Sequence, residues 1–381
     1  MFKACLIITV TDRNPAPQIT LVGPTHPYTG GISQHNTRLA LELEQRGISV
    51  SVESWKSQYP SWLYPGQARV AMDAPEVGIP AVVEQRLTWF SPLTWWRAGK
   101  RARSSAIVAF SVPTPFHAVP YLVMLRALGR GAHTVGIVHN VLPHEPRVFD
   151  RWLMRGLFAA FSRIIVHSDT QASLAAELSQ SNTAVEVLRL PSPWKPSTST
   201  PSRDARSGST RLLFFGTVRH YKGLDLLLQA MATVPSVTLT VAGDFWEDKD
   251  TYRQLIDNLG LSERVTLMPG YLPEEKFEAI FGAADVLVLP YRTGTGSIVS
   301  ELGFRFGLPV IATKVGAIAD GIDHGTTGLV VEPDSVEQLS AALTRASSRT
   351  TVTGWQHNVF TRGDVNNELW QHYCDTLLNT Q

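Results

Sequence analysis

Two runs of alternating strand-like and helix-like segments, separated by a stretch that supports neither, constrain this chain most. In the first run, short apolar strands are read at 19–23, 48–55, 106–112, 134–141, 163–168 and 184–191. Helical spacing joins Ile32, Asn36, Leu39, Ala40 and Leu43, with Gly47 as a natural residue after the helix end, and recurs at 116–128, 147–160 and 169–180. The second run places strands at 211–218, 237–244, 264–271, 285–291, 309–315 and 329–332, with helices at 224–232, 248–259, 274–281, 297–306 and 336–346. Strands this short and this apolar are covered on both faces. Alternation with helices then implies parallel sheets with right-handed crossovers. Between the runs, 191–210 (PSPWKPSTSTPSRDARSGST) is rich in Pro, Ser and Thr and reads as a linker. The expected organisation is therefore α/β with two Rossmann-like domains: 1–190, the linker 191–210, 211–350, and a C-terminal helical segment 351–381 packing back on the first domain. From Trp355 onward that segment is amphipathic, with Leu369, Trp370, Tyr373 and Leu377 on one face. Residues 1–18 read as a loose tail or an added edge strand, because NPAPQ breaks the apolar run 4–10 from the strand that follows.

A chain of 381 residues with 44% apolar and 18% charged residues has material for two cores. A formal charge of +1 gives no overall field favouring nucleic acid. Cys5 and Cys374 form neither a metal pattern nor a disulfide framework, which suits a reducing, cytoplasmic setting. No apolar run reaches the length of a membrane span, and the run 4–10 lacks a cleavage pattern, so no signal peptide is expected.

The chemistry is expected in loops that follow strands. In LPYRTGTGSIVSELGFRFGLPVIAT (289–313), the loop 292–296 holds Thr293 and two glycines, and Ser297 is a plausible N-cap. Such a loop running into a helix N-terminus suits a phosphate, or is an ordinary strand-to-helix turn. In FFGTVRHYKGLD the strand ends at Gly216, the loop presents Arg219 and Lys222, and a helix begins after Gly223. One guanidinium and one ammonium beside a helix N-terminus suit a diphosphate. The loop PTHPYTGG, with Gly30 and Gly31, lies between the first strand and helix but lacks the G-x-G-x-x-G spacing of dinucleotide sites. His139 ends a strand and is either a catalyst or a hydrogen-bonded structural residue. His144 and Glu145 follow it, to position an acceptor hydroxyl or to cap the next helix. In 89–103, Trp89, Phe90, Trp95 and Trp96 neighbour Arg97, Lys100, Arg101 and Arg103. This is either a core-packing helix with a solvated basic end or a helix lying on an anionic membrane.

The pieces FFGTVRHYKGLDLLLQA, LTVAGD, RVTLMPGYLPEEKFEAIFGAADVLVLPY, GFRFGLPVIATKVGAIAD and HGTTGLVVEPDSVEQLSAAL resemble, in order and spacing, the retaining glycosyltransferases of family 4 (glycosyl transferases group 1). The resemblance is strong over 190–350, and GPTHPYTGGISQHNTRLALELEQRG and VHNVLPHE also fit. It implies the GT-B fold, two Rossmann-like domains facing across a cleft. It also implies α-retaining transfer of a sugar from a nucleotide-diphosphate sugar to a glycan or lipid-linked acceptor, with no cofactor and no metal required. By the same resemblance Arg219 and Lys222 hold the donor diphosphate, and backbone near Tyr271 and Leu272 contacts the base. Ser297 and Ile298 give N–H groups to phosphate, Gly30 and Gly31 let the first loop close over the donor, and His139 lies beside the donor sugar. The family's Glu-x7-Glu is absent, since its positions fall on Gly294 and Leu302. Glu301, with Thr293 eight residues before it, is the candidate to take over the ribose hydroxyls. Thr217 stands where the family has Arg, so Arg219 must substitute. A nucleotide-sugar epimerase of the same shape and a non-catalytic nucleotide-sugar binder are the alternatives.

Overall fold

The computed structural model describes residues 18–28, 30–60, 78–143, 148–179, 183–193, 208–270, 272–294, 299–362 and 365–379, the side chain of Glu274 aside. The first sheet contains β1 (Ile19–Val22), β2 (Val50–Ser57), β3 (Val83–Thr88), β4 (Ile107–Val112), β5 (His133–Val138), β6 (Arg163–Val166) and β7 (Ala184–Val187), in the order β3-β2-β1-β4-β5-β6-β7. The second contains β8 (Thr210–Phe215), β9 (Val237–Gly243), β10 (Val265–Pro269), β11 (Val286–Leu289), β12 (Val310–Thr313) and β13 (Gly328–Val331), in the order β10-β9-β8-β11-β12-β13. Every pairing of these strands is parallel. This is the two-sheet GT-B architecture.

The apolar runs follow from burial on both faces. On β4, Val108, Phe110 and Val112 enter one core while Ile107 and Ala109 enter another. On β8, Leu212 and Phe214 point to one side, Leu213 and Phe215 to the other. The strand β3 was not expected. It is an edge strand with Gln85 and Arg86 exposed and irregular pairing around Trp55, so it never forms the apolar run that marks a covered strand. The amphipathic C-terminal segment is two helices, Arg349–Thr361 and Val365–Leu378. Trp355 of the first joins a core of the second sheet, whereas Trp370, Tyr373, Cys374 and Leu377 of the second complete a core of the first sheet. Arg163 Nη2 donates to Thr376 O at 2.8 Å and Trp370 Nε1 to Ser192 O at 2.8 Å, fastening the last helix there. Residues 1–17, and 194–207 of the expected linker, lie outside the described residues.

In each sheet the strand order reverses once, between β1 and β4 and between β8 and β11. Loops leaving the carboxyl ends of the two central strands there diverge to opposite sides and leave a crevice, where sheets of this kind bind ligands.

Candidate functional site

At the second reversal the two diverging loops are fastened together. Lys222 N donates to Arg219 O at 2.8 Å and Gly223 N to His220 O at 3.0 Å, closing a tight turn before the helix Leu224–Ala232. Gly223 is left-handed (φ 69°), and a Cβ built on it would lie 2.0 Å from Pro290 O at the end of β11. Arg292 N donates to Tyr221 O at 2.7 Å. The Arg292 guanidinium forks onto both carboxylate oxygens of Asp225 at 2.7 Å and reaches Asp334 at 3.0 Å. Burial pushes the Asp225 carboxyl up, but the Arg292 pair outweighs it and holds the group below the usual range. Asp225 stands in the first helical turn, where a carboxylate would repel a bound anion; its pairing with Arg292 cancels that charge. Gly223→Ala is expected to destabilise the fold by about 1–3 kcal/mol from the backbone conformation alone. The Pro290 contact adds to this by pushing the loops apart. A melting temperature equal to the parent's would show that the loops separate freely.

Lys222 and Arg219 occupy different surroundings. Lys222 is 8% exposed, its Nζ 5.2 Å from the centre of the Tyr291 ring and 3.3 Å from where a Cβ on Gly216 would stand. Among the described residues it has no carboxylate partner. Gly216 is itself left-handed (φ 104°), and a Cβ on Gly243 at the end of β9 would meet Gly216 O at 1.9 Å, so two glycines bring bare backbone to the crevice. Arg219 is exposed, its guanidinium 5.6 Å from the Tyr221 ring centre and 5.2 Å from that of Trp246. Stacking of this kind holds a guanidinium in place while leaving its N–H edge open.

At the first reversal, Gly23 follows β1 so closely against β4 that a Cβ on it would lie 2.8 Å from Ser111 Cβ. Ser111 Oγ accepts from Asn36 Nδ2 at 3.0 Å and lies 3.1 Å from His139 Nε2. His139 is part of a cluster, with ring centres 5.7 Å from His35 and 5.1 Å from His167. His35, on the helix Gly31–Gln45, stacks on Trp370 at 5.1 Å and meets Tyr373 edge-on at 5.2 Å. Both of its ring nitrogens are buried, with no hydrogen bond of normal geometry among the described residues. Burial, and then the neighbouring His167, lower His35 to about 3, and burial lowers His167 to about 4. Burial first, then His167 and His35, hold His139 well below 6.5. All three are therefore neutral imidazoles at pH 7. Among the described residues no group of three or more His, Cys, Asp or Glu is arranged to hold a metal ion.

Only some of the sequence-derived residues fall at the two reversals. Gly216, Arg219 and Lys222 lie at the second, beside Tyr291, Arg292 and the exposed Thr293. His139 lies at the first. Gly30 caps the helix Gly31–Gln45 from open space, with nothing within 4 Å of its Cβ position. Leu272 is half-buried against a core of the second sheet. Leu302, where the second family Glu would stand, is core. Glu301 is ion-paired to Arg189, a residue of the segment following β7, and both pack on Gly321. Tyr271, Ser297, Ile298, His144 and Glu145 lie outside the described residues. Arg189, Arg292, Trp246, His35 and His167 were missed. His35 alone had a visible signal, a histidine on the apolar face of the first helix.

Residues 198–351 match the family model described as Glycosyl transferases group 1. Over 136 residues, 34% of this chain and 28% of the relative, the chain is 31% identical to the D-inositol 3-phosphate glycosyltransferase of Mycobacterium marinum. Over 236 residues, 60% of this chain and 54% of the relative, it is 25% identical to the glycogen synthase of Mycobacterium tuberculosis. The chain thus spans between about a quarter and about a half of the length of these curated relatives. In fold it is similar to Anabaena HepE, solved in complex with UDP and glucose, with a TM-score of 0.71, 17% identity, and coverage of 94% of this chain and 99% of that one. The lipopolysaccharide outer core galactosyltransferase WaaB follows, with a TM-score of 0.69, 13% identity, and coverage of 94% and 98%.

Proposed function

We propose that this chain, whose residues 198–351 match the model of the group 1 glycosyltransferases, moves a sugar from a nucleotide-diphosphate sugar to an acceptor hydroxyl with retention of the anomeric configuration. The observation that carries this reading is Lys222, a buried ammonium with no carboxylate partner among the described residues, at the crevice of the second sheet. An unpaired buried cation is costly unless a ligand completes it. In this reading the ligand is the donor's diphosphate. Arg219, on its aromatic stack, reaches the same group from the surface. As the glycosidic bond breaks, negative charge grows on the leaving diphosphate, and these two cations stabilise it where a metal ion would otherwise serve. The acceptor proton passes to the departing phosphate oxygen on the same face. Neutral His139 offers a hydrogen bond to the sugar and needs no proton exchange. Glu301, held by Arg189, faces the ribose hydroxyls. HepE, solved with UDP and glucose, supports a uridine-type donor. A glycan or lipid-linked acceptor of the cell envelope and a cytoplasmic setting complete the proposal, the latter supported by the cysteine usage.

A thermal-shift screen of nucleoside diphosphates and their sugars tests this. A ligand at a hundred times its Kd stabilises the folded state by about 2.7 kcal/mol. The expected result is a rise with one nucleotide class, weakened about 10–150-fold in affinity when the ribose hydroxyls are removed or Glu301→Gln is introduced, as for a hydrogen bond to a charged group. No shift with any nucleotide overturns the reading. Binding without release of nucleoside diphosphate, with or without acceptor, would favour the non-catalytic binder.

A further inference from the structure

A guanidinium crosses from the first half of the chain to the second. Arg189 follows β7, and its Nη2 is ion-paired to Glu301 Oε1, 112 residues further on. Glu301 stands on the helix Val299–Arg305, which follows β11, one of the two strands at the second reversal. Both side chains are largely withdrawn from solvent, Arg189 to 27% and Glu301 to 16% exposure.

The strip of backbone that carries Arg189 is fastened on both sides. Before it, Leu188 N donates to Val166 O at 2.9 Å. His167 Nδ1 lies 3.0 Å from Leu188 O, and since a carbonyl only accepts, that nitrogen carries the proton. After it, Asn366 clasps Ser192: its Oδ1 accepts from Ser192 N at 2.7 Å, and its Nδ2 donates to Ser192 O at 3.1 Å. Trp370 Nε1 donates to the same carbonyl at 2.8 Å. Arg189 thus projects from a strip tied to the first sheet and to the last helix.

The surface that receives it is bare. A Cβ on Gly321, in the segment after β12, would lie 2.0 Å from Arg189 Nη2 and 2.9 Å from Glu301 Oε1. Gly321 is not in the left-handed region, so space rather than backbone conformation calls for glycine there. Arg362, which follows the helix Arg349–Thr361, donates from Nη1 to Gly321 O at 2.8 Å, and its guanidinium lies 4.9 Å from the ring centre of Phe304. Phe304 belongs to the helix of Glu301, so the segment and the helix are held together.

The pair engages one oxygen of Glu301. Among the described residues the other accepts no hydrogen bond. The next residue, Leu302, enters a core. One residue is a turn of about 100° around a helix, so Glu301 leaves on a flank, and the helix alone does not fix where its carboxylate goes.

We propose that Arg189 is a positioning residue for nucleotide binding: reaching over from the first half, it holds one carboxylate oxygen of Glu301 and leaves the second to accept from a ribose hydroxyl. This rests on the transferase reading, in which Glu301 faces the ribose. It adds that the ribose contact is built by both halves, although the second alone supplies the carboxylate. A charge-assisted pair fixes the direction of a carboxylate, and a hydrogen bond made by a fixed group loses less side-chain freedom on binding.

Calorimetric titration of the full chain with uridine, adenosine, guanosine and cytidine diphosphate, each beside its 2′,3′-dideoxy counterpart, tests this. The parent is expected to prefer the ribose form of the nucleotide it binds by about 10–150-fold. In Arg189→Met that preference should shrink by about fivefold or more, through weaker binding of the ribose form. Gly321→Ala keeps both charges but drives a methyl group into the pair, and should shrink the preference in the same direction. A merely structural tie would weaken both forms alike and leave their ratio unmoved. If circular dichroism melting shows that Arg189→Met misfolds, Gly321→Ala carries the test, because it displaces only the far end of a flexible side chain. A preference that both variants leave at the parent's value, or a parent with equal affinity for the two forms, overturns the inference and leaves the transferase reading standing. A parent that binds none of the diphosphates removes that reading, and this inference with it.

Discussion

Replacing Lys222 by methionine is expected to lower kcat/KM for the nucleotide-sugar donor by about 10–150-fold, the loss of one charge-assisted phosphate contact of roughly 1.5–3 kcal/mol. Methionine keeps the apolar stem that packs beside Tyr291 and removes only the ammonium. The same change should leave the melting temperature of the free protein unchanged or raise it. The parent holds a cation at 8% exposure without a carboxylate partner among the described residues, and burying an unpaired charge costs stability. Lower turnover with equal or greater stability separates a binding role from a structural one. Arg219→Ala is expected to do less, because its guanidinium is exposed and held by two rings rather than buried at the crevice. Sequence alone ranks the two equally. Unimpaired turnover in the Lys222 variant would remove the residue from the donor site and the proposed reaction with it.

The second large effect is on stability in acid. His35, His139 and His167 are held below the ordinary 6.5 of histidine, His35 to about 3 and His167 to about 4. The unfolded chain therefore takes up these protons first. Their contribution is complete above pH 6.5 and is lost as the pH falls toward the folded values. For His35 alone the loss from pH 6.5 to 4 is about 3 kcal/mol, at 1.36 kcal/mol per unit. The paired carboxylates Asp225 and Asp285 sit below 3.8, so their loss begins further down. Burial lifts Glu53 above 4.5 against its Arg101 partner, and it opposes the trend slightly. The window between 6.5 and 4 is thus a histidine window. His35→Phe keeps an aromatic ring against Trp370 and should flatten the decline of melting temperature over that range. Parallel curves for variant and parent would mean that His35 takes up its proton without opening the cluster.

Sequence made the fold legible where strands are covered on both faces. β11 is an unbroken apolar run, and β4 and β8 carry apolar runs at Ile107–Phe110 and Leu212–Phe215, because the side chains there, up or down, meet a core. It failed at β3, where an edge strand exposes one side and carries Gln85 and Arg86. At the site, Gly216, Lys222 and Gly223 were legible because a glycine-flanked turn with a cation after a strand has few structural uses. Arg292 and Asp225 were not, since the two are 67 residues apart and only strand order brings β8 and β11 side by side. Glu301 was visible as a displaced acid, but its pairing with Arg189 crosses from one half to the other and leaves no local trace. The aromatic helix at 92–101 was recognised. Its neighbour at 148–158 was read as a helix too, but the exposure of Trp152 was not legible, because an exposed tryptophan and a buried one look alike until the packing is known.

The helix Val365–Leu378 supplies Trp370, Tyr373, Cys374 and Leu377 to a core whose other members begin at Ile19. A ribosome releases those partners at widely separated moments of synthesis. One side of the first sheet therefore stays unsealed while the whole second sheet is made, and its greasy surface is open to chaperones for that interval. A stop codon before Val365 would leave every described strand encoded yet the first sheet permanently bare on that side, so loss of this helix should produce aggregation rather than a trimmed, working protein.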